Sequence, residues 1–362
     1  MHDHTLAAVF HGAGQALELQ HVVTPTPQTG EILVRVSCCT LCGSDLHTYA
    51  GHRTTPLPTI LGHEVVGRIE AWHGSEPPCD YDGAPLQVGD RITWSIAASC
   101  GTCFYCDHAL PQKCTSLFKY GHAQIKTTET LHGGLAERCL LRPGTALFFL
   151  PDTLPDEVAG PVNCATATVA SALRHGEGCR DNTVLVMGAG MLGLTACAMA
   201  RADGARDILV CDIDANRLAL APAFGATRTC DVSDDDALSQ MVKETTDGRG
   251  ADLAIELSGA VPAVTSCLDQ LRIGGRAVLV GTVFPTPPVA LFPETLVRRQ
   301  LTVRGVHNYA PQDLARALAF MEAHSQDHPF AGLVERTFPL RDADAAMRYA
   351  IDKKPHRVAV TP

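Results

Sequence analysis

Four cysteines fall within fifteen residues: Cys100, Cys103, Cys106 and Cys114, spaced C-x2-C-x2-C-x7-C. A thiolate quartet binds zinc tetrahedrally, and a complete quartet leaves no position for water or substrate. The spacing therefore points to a structural zinc that holds a loop, about residues 99 to 115. An iron–sulfur cluster also uses four thiolates. The polar residues of this loop, and nothing elsewhere that points to electron transfer, favour zinc.

A second pattern, Gly188-Ala189-Gly190-Met191-Leu192-Gly193, follows the apolar run Val184 to Met187 and opens a helical pattern. That is the setting of a dinucleotide-binding turn. Gly188 permits the tight turn, Gly190 lets backbone approach a pyrophosphate, and Gly193 lets helix and strand pack closely. The free N–H groups at the helix start, from Met191 and Leu192 onward, suit phosphate oxygens. A glycine pattern alone is weak, but Asp212 ends the next strand, 24 residues after Gly188. A carboxylate there accepts from both ribose hydroxyls and repels a 2′-phosphate, so NAD is expected rather than NADP. Asp214 lies beyond the strand end and is the weaker candidate. Arg217, in the helix that follows, joins the expected cofactor set.

A third set is dispersed. Cys42 sits in Cys42-Gly43-Ser44-Asp45-Leu46-His47, His63 in Gly62-His63-Glu64, and Cys164 begins a helical stretch. Each alone reads as an ordinary buried thiol or ring. Beside the two motifs above they read as a catalytic zinc site, because two thiolates and an imidazole leave one coordination position open.

The elements that must position these residues have two textures. Up to about residue 145 the chain is rich in Gly, Pro, Cys and His, with short apolar runs such as Ile32 to Val36 and Val65 to Ile69. These read as strands broken by turns, and Ser75 to Leu86 reads as a loop. From about Asp156 strands and helices alternate: strands at Val184 to Met187, Ile208 to Cys211, Leu253 to Ile255 and Ala277 to Val280, helices at Met191 to Ala202 and Asn216 to Phe224. Such repetition implies a parallel sheet with helices on both faces. An amphipathic helix at Pro311 to Ala323 and a strand at Arg357 to Val360 close the chain.

Composition excludes several classes. The 362 residues are 46% hydrophobic and 19% charged, an ordinary soluble balance for two domains. A net charge of -10 opposes broad attraction to nucleic acid or anionic lipid. No apolar run is long enough to span a bilayer, and Met1 to Phe10 does not read as a secretory signal. A cytoplasmic protein is expected. Fifteen cysteines, an odd number, then read as metal ligands where clustered and as small buried hydrophobes where scattered, as at Cys197 and Cys267.

Taken together, the chain resembles the medium-chain, zinc-containing alcohol dehydrogenase family over essentially its whole length. The resemblance is carried by Gly62-His63-Glu64-Val65-Val66-Gly67, Val88-Gly89-Asp90-Arg91, the cysteine lobe, the glycine turn with Asp212, and Arg357-Val358-Ala359-Val360. It implies an α/β protein: a GroES-like, mainly β catalytic domain over 1–165 and 304–362, and a doubly wound Rossmann domain over 166–303. It also implies two zinc ions per chain, NAD, a cleft between the domains for substrate, and a homodimer or homotetramer. The implied reaction is reversible hydride transfer between an alcohol carbon and NAD. Ser44 would meet the reacting oxygen, His47 would pass its proton to solvent, and Asp45 would orient His63. Glu64 would stand at or near the zinc, Thr168 would contact the nicotinamide, and Arg357 would contact the cofactor pyrophosphate. Polyol-type relatives place a glutamate where this chain has Asn163, which weighs against a sorbitol-type substrate. The stretches Thr40 to Leu61 and Ser99 to Thr115 further resemble a subgroup associated with phosphonate catabolism.

Substrate walls come from loops. Ile96 stands where liver-type relatives carry a bulky aromatic, which implies a roomier pocket. His52, Lys119, Tyr120, His122 and His307 fall on candidate pocket loops and favour a small polar or anionic substrate, for which a phosphonate-bearing alcohol is one candidate. Polyol or amino-alcohol oxidation is the alternative within the class. A zinc-free reductase or a non-catalytic nucleotide- and zinc-binding protein on the same fold would be marked by lost ligands, and none is lost.

Overall fold

The computed structural model describes residues 3–126, 130–233 and 236–362. The chain divides into two units, one of residues 1–164, 310–325 and 330–362, the other of residues 165–309 and 326–329. The return to the first unit comes after Tyr309, not at 304 as expected. Thr302–Gly305 is the sixth strand of the second unit's sheet, paired in parallel with Leu271–Leu279. Its four residues are all exposed, so no apolar run marks it as a strand in the sequence.

The first unit is built on a sheet in the order Leu147–Phe149, Arg91–Trp94, Glu64–Trp72, Ile32–Thr40, Arg357–Thr361, Val334–Pro339, with Arg138–Leu141 also on Ile32–Thr40. The runs Ile32 to Val36 and Val65 to Ile69 are the starts of longer strands that pair antiparallel, bringing Thr40 opposite Glu64. The final strand pairs antiparallel with Ile32–Thr40 through Ala359 and Val360. This pairing sets the last residues of the chain beside the residues around Cys42. The core of this sheet gathers Val34, Val65, Ile92, Trp94, Tyr120 and Val358, all nearly inaccessible to water.

The second unit is a six-stranded parallel sheet, ordered Arg228–Asp231, Asp207–Asp212, Thr183–Met187, Ala251–Glu256, Leu271–Leu279, Thr302–Gly305. Strand order reverses between Thr183–Met187 and Ala251–Glu256. Ligands bind such sheets beyond the strand C-termini at that reversal. The helix Met191–Ala202 has the expected bounds. The expected helix at Asn216 to Phe224 divides, because Pro222 cannot continue α-helical hydrogen bonding. Ala215–Leu220 is α-helical, Ala221–Phe224 is a 3-10 turn, and Gly225 closes it in a left-handed conformation.

Candidate metal centres and nucleotide turn

Cys42, His63 and Cys164 come together although 122 residues separate the two cysteines. Their ligand atoms lie within 4.8 Å of one another, and the two sulfurs are 3.9 Å apart. A tetrahedral zinc with Zn–S bonds of about 2.3 Å requires sulfurs about 3.8 Å apart. The set fits that ion. The hydrogen bond from Cys164 pulls the Cys42 thiol well below its ordinary value, against burial and with help from His63 and Arg357. The same contact holds the Cys164 thiol up. Two buried sulfurs so close cannot both ionise alone, and a cation between them removes the conflict.

The scaffold holds each ligand. The helix Gly43–Tyr49 starts at Cys42, whose N–H donates to Asp45 Oδ2 at 2.9 Å. Asp45 Oδ1 accepts the Gly62 N–H and lies 3.2 Å from His63 Nδ1. One buried carboxylate thus fixes the backbone of one ligand and the ring of another. Burial alone would push the His63 imidazole down, but Asp45 first and Cys42 second carry it well above its ordinary value. Asn163 is fully buried, and its Nδ2 donates to the carbonyls of His63 and Trp94, at 3.1 and 2.9 Å. The residue that seemed only to mark a departure from polyol relatives therefore ties Cys164 to His63.

Ser44 Oγ lies 3.5 Å from His63 Nε2. His47 is exposed on the same helix, its Nδ1 3.5 Å from that of His52. Burial and then the neighbouring His52 hold His47 below its ordinary value. Glu64 is buried and is not one of the three residues of the ligand triangle. Its carboxylate accepts from Thr40 Oγ1 at 2.6 Å and from Nε and Nη2 of Arg357, each at 2.9 Å. Arg357 thus meets Glu64 where a cofactor phosphate was expected. Its Nη1 donates to the carbonyl of His356 and its Nη2 lies 4.0 Å from Cys42 Sγ. This ion pair spans 293 residues, and sequence reasoning missed it.

The cysteine lobe also gathers. Cys103 and Cys106 sulfurs are 3.6 Å apart, Cys100 and Cys114 3.4 Å, and all four ligand atoms lie within 4.8 Å. Backbone N–H groups of Cys100 and Ser116 donate to Cys114 Sγ at 3.3 Å each. The Thr115 backbone pulls Cys103 down to about 5. Backbone donors of this kind favour thiolate, the form that binds metal. All fifteen cysteines are free of disulfides.

In the second unit the glycine turn lies between the strand Thr183–Met187 and the helix Met191–Ala202. Gly188 has φ +108, and a Cβ on Gly193 would stand 1.8 Å from the Gly188 carbonyl oxygen. A Cβ on Gly190 would meet only the Arg217 guanidinium, at 3.8 Å, which leaves room for a ligand to approach the backbone. Gly190 is the N-cap of Met191–Ala202 and offers no side-chain acceptor, so the first N–H groups of that helix are available. Asp212 accepts from Ala189 N at 2.6 Å and from Ile213 and Asp214 N. Asp214 caps the helix that carries Arg217. Thr168 is half-buried on Ala165–His175, and His307 is exposed after Thr302–Gly305.

Tyr120 corrects one expectation. It is a core residue rather than a pocket residue: 1% exposed, with its hydroxyl 2.6 Å from Thr145 Oγ1 and accepting from Arg142 N. Its neighbours on either side differ. His122 has its ring centroid 5.4 Å from that of His63, and Lys119 is half-buried within electrostatic reach of Cys164. Ile96 is half-buried and accepts the Tyr120 N–H.

Residues 28–152 match the alcohol dehydrogenase GroES-like domain, and residues 192–323 match the family described as zinc-binding dehydrogenase. The chain is 33% identical over 329 residues to 5-exo-hydroxycamphor dehydrogenase of Pseudomonas putida, covering 89% of each protein. The chain belongs to the zinc-dependent medium-chain alcohol dehydrogenase family. Other relatives in this alcohol dehydrogenase family include L-threonine 3-dehydrogenase of Deinococcus deserti, 33% identical over 78% of each chain. Sorbitol dehydrogenase of Bacillus subtilis is 29% identical over 96% of this chain and 94% of its own. An alcohol dehydrogenase from Thermotoga maritima superposes with a TM-score of 0.93 at 28% identity, covering 99% of both chains.

Proposed function

We propose that this dehydrogenase oxidises a small polar alcohol with NAD, or reduces the corresponding carbonyl, at the centre formed by Cys42, His63 and Cys164. The observation that carries the reading is that ligand triangle, with Ser44 Oγ beside His63 and Asp45 fixing two of the three ligands. Zinc, when bound there, supplies Lewis-acid stabilisation of negative charge on a substrate oxygen. Ser44 holds the hydroxyl of the substrate and takes its proton while releasing its own. His47, exposed one turn along the helix and held neutral, delivers that proton to water. NAD supplies the hydride acceptor. Gly188, Gly190 and Gly193 with Met191 and Leu192 hold its pyrophosphate, Asp212 its ribose, and Arg217 flanks the turn. Thr168 serves the nicotinamide end. Arg357 acts by fixing Glu64 rather than by binding a phosphate, and Glu64 balances the charge behind the ligands.

A phosphonate-bearing alcohol is the substrate we favour, because Lys119 brings a basic group within electrostatic reach of the ligand Cys164. Oxidation of a polyol or amino alcohol is the second reading, supported by relatives named threonine and sorbitol dehydrogenases. The strand Thr302–Gly305 is an exposed sheet edge near exposed Phe292 and Val297, and we propose that it pairs two copies in a homodimer or homotetramer. Fifteen free thiols suit the reducing cytoplasm. Among the described residues no helix is long and apolar enough to cross a membrane.

The test follows reduced nicotinamide by absorbance with alcohols, polyols, amino alcohols and hydroxyalkylphosphonates, each with NAD and NADP. Turnover with NAD that disappears in Cys42→Ser supports the reading. Full turnover in Cys42→Ser overturns it.

A further inference from the structure

The segment that carries Lys119 is a short strand, Phe118–Lys119, paired with Ala97–Ala98. Side chains alternate along a strand. Phe118 and Tyr120 both pack on the hydrophobic core, so Lys119 is left on the opposite side. There it lies within electrostatic reach of the ligand Cys164 and of Arg53. Arg53 lies within electrostatic reach of His122 as well, and the His122 ring centroid is 5.4 Å from that of His63. The two segments run together: Thr55 Oγ1 donates to the His122 carbonyl at 3.2 Å, Thr59 Oγ1 to the Ala123 carbonyl at 2.7 Å, and Ile125 N to Pro58 O at 2.8 Å. Arg53 itself is fixed through its N–H to the His47 carbonyl.

The charges around this point do not balance. Glu64 is taken by Arg357, and Asp45 by His63. Two thiolates neutralise one zinc ion. No carboxylate pairs with Arg53 or Lys119 among the described residues, and both side chains are half-buried. Burying an unpaired cation is costly unless an opposite charge meets it. Burial first, then Arg53 and Lys113, lowers Lys119 to about 8. His122 donates Nδ1–H to the Tyr120 carbonyl at 3.0 Å, which leaves Nε2 as an acceptor, and that atom is buried without a partner among the described residues. It suits a donor such as a second hydroxyl or an amine on the ligand.

We propose that Arg53 and Lys119 form an anion-binding subsite beside the catalytic metal centre, so that the substrate is an alcohol bearing a phosphonate, phosphate ester or carboxylate. This rests on the dehydrogenase reading for the word alcohol, but the subsite itself does not. A guanidinium fork and an ammonium within electrostatic reach of each other suit an oxyanion with two or three oxygens. Arg53 and Lys119 are positioning residues: they hold the anionic end while Ser44 meets the hydroxyl.

The experiment uses the zinc-loaded full chain, Lys119→Gln, Arg53→Gln and the double variant. Binding of methylphosphonate and of acetate is measured by calorimetry, with zinc content checked in every sample. The ratio of kcat/KM for 2-hydroxyethylphosphonate and for 3-hydroxypropanoate to that for 1-propanol is then measured. We expect methylphosphonate or acetate binding to weaken by about tenfold or more in each single variant, the worth of one charged hydrogen bond. The anionic-to-neutral selectivity ratio should fall by a similar factor, mainly through KM. Phosphonate and carboxylate arms decide which oxyanion the site takes. Equal anion binding by the wild-type protein and the double variant overturns the subsite, because the anion then sits on metal alone. Absence of anion binding to the wild-type protein overturns it too. Loss of anion binding in the variants, with no alcohol oxidised by the wild-type protein, keeps the subsite and overturns the dehydrogenase reading.

Discussion

Arg357→Gln is the substitution that the ion pair behind the metal ligands makes most informative. Glu64 is fully buried and Arg357 nearly so, and two charge-assisted hydrogen bonds of 2.9 Å join them. At about 1.5–3 kcal/mol for each bond to a charged group, their loss amounts to about 3–6 kcal/mol. Breaking a buried pair on one side costs about 3–5 kcal/mol, because the other charge stays buried. We therefore expect Arg357→Gln to lower stability by about 4 kcal/mol at pH 7.5. Glu64 keeps only the Thr40 hydroxyl. Burial already raises its carboxyl, and without Arg357 it rises further. A carboxyl whose folded pKa lies above its unfolded value loses stability as pH climbs from the unfolded towards the folded value. The defect should thus shrink towards pH 5 and grow above pH 7. Glu64→Gln/Arg357→Gln should recover part of the loss, since no charge is then stranded. Urea denaturation of the zinc-loaded protein from pH 5 to 8 reads all three effects. A loss under about 1 kcal/mol, the level of an exposed pair, or a pH-independent loss would refute this reasoning.

Asp45→Asn should increase zinc dissociation from the Cys42–His63–Cys164 site by about 10–100-fold, the usual effect of losing a carboxylate behind a ligating histidine; competition with a chromogenic chelator reads it, and unchanged release rates would remove Asp45 from that role. Gly193→Ala puts a Cβ 1.8 Å from the Gly188 carbonyl oxygen. The turn must shift, so NAD affinity should fall roughly tenfold or more by fluorescence titration while zinc content stays at two per chain. Glu70 is held below its ordinary value chiefly by hydrogen bonding to Arg138, at 2.8 and 3.1 Å. That contribution is present above the unfolded carboxylate pKa of about 4.3 and fades as pH falls below it. Glu70→Gln should therefore cost about 1–3 kcal/mol at pH 7, and the gap to the wild-type protein should close below about pH 4 in denaturation curves.

What could be read in the sequence was what lies close together in it. The four lobe cysteines sit on one loop, and the glycine turn, its helix and Asp212 form one strand–helix–strand unit, so spacing alone exposes both. Cys42, His63 and Cys164 were legible only beside those two compact motifs, because three separate elements deliver them. The Glu64–Arg357 pair depends on the last strand pairing with Ile32–Thr40, which no local pattern encodes. Asn163 shows the same limit: its amide works on carbonyls 69 and 100 residues away. Tyr120 misled because a hydroxyl-bearing aromatic among histidines looks like a pocket residue, while its hydroxyl is used by Thr145 and Arg142 inside the core. Arg53 passed unnoticed for the opposite reason, since a lone arginine in a polar loop looks like surface until Lys119 and the His122 segment are found beside it.

Chelation and reconstitution of the centre at Cys42, His63 and Cys164 test its role most directly. The purified protein is dialysed against a chelator until one zinc per chain remains, and NAD reduction is followed before and after zinc is restored. Two zinc ions per chain, loss of turnover with the first ion removed, and recovery in proportion to the zinc returned are the expected results. Full turnover by protein that holds zinc only at Cys100, Cys103, Cys106 and Cys114 would contradict a metal-assisted hydride transfer at this site.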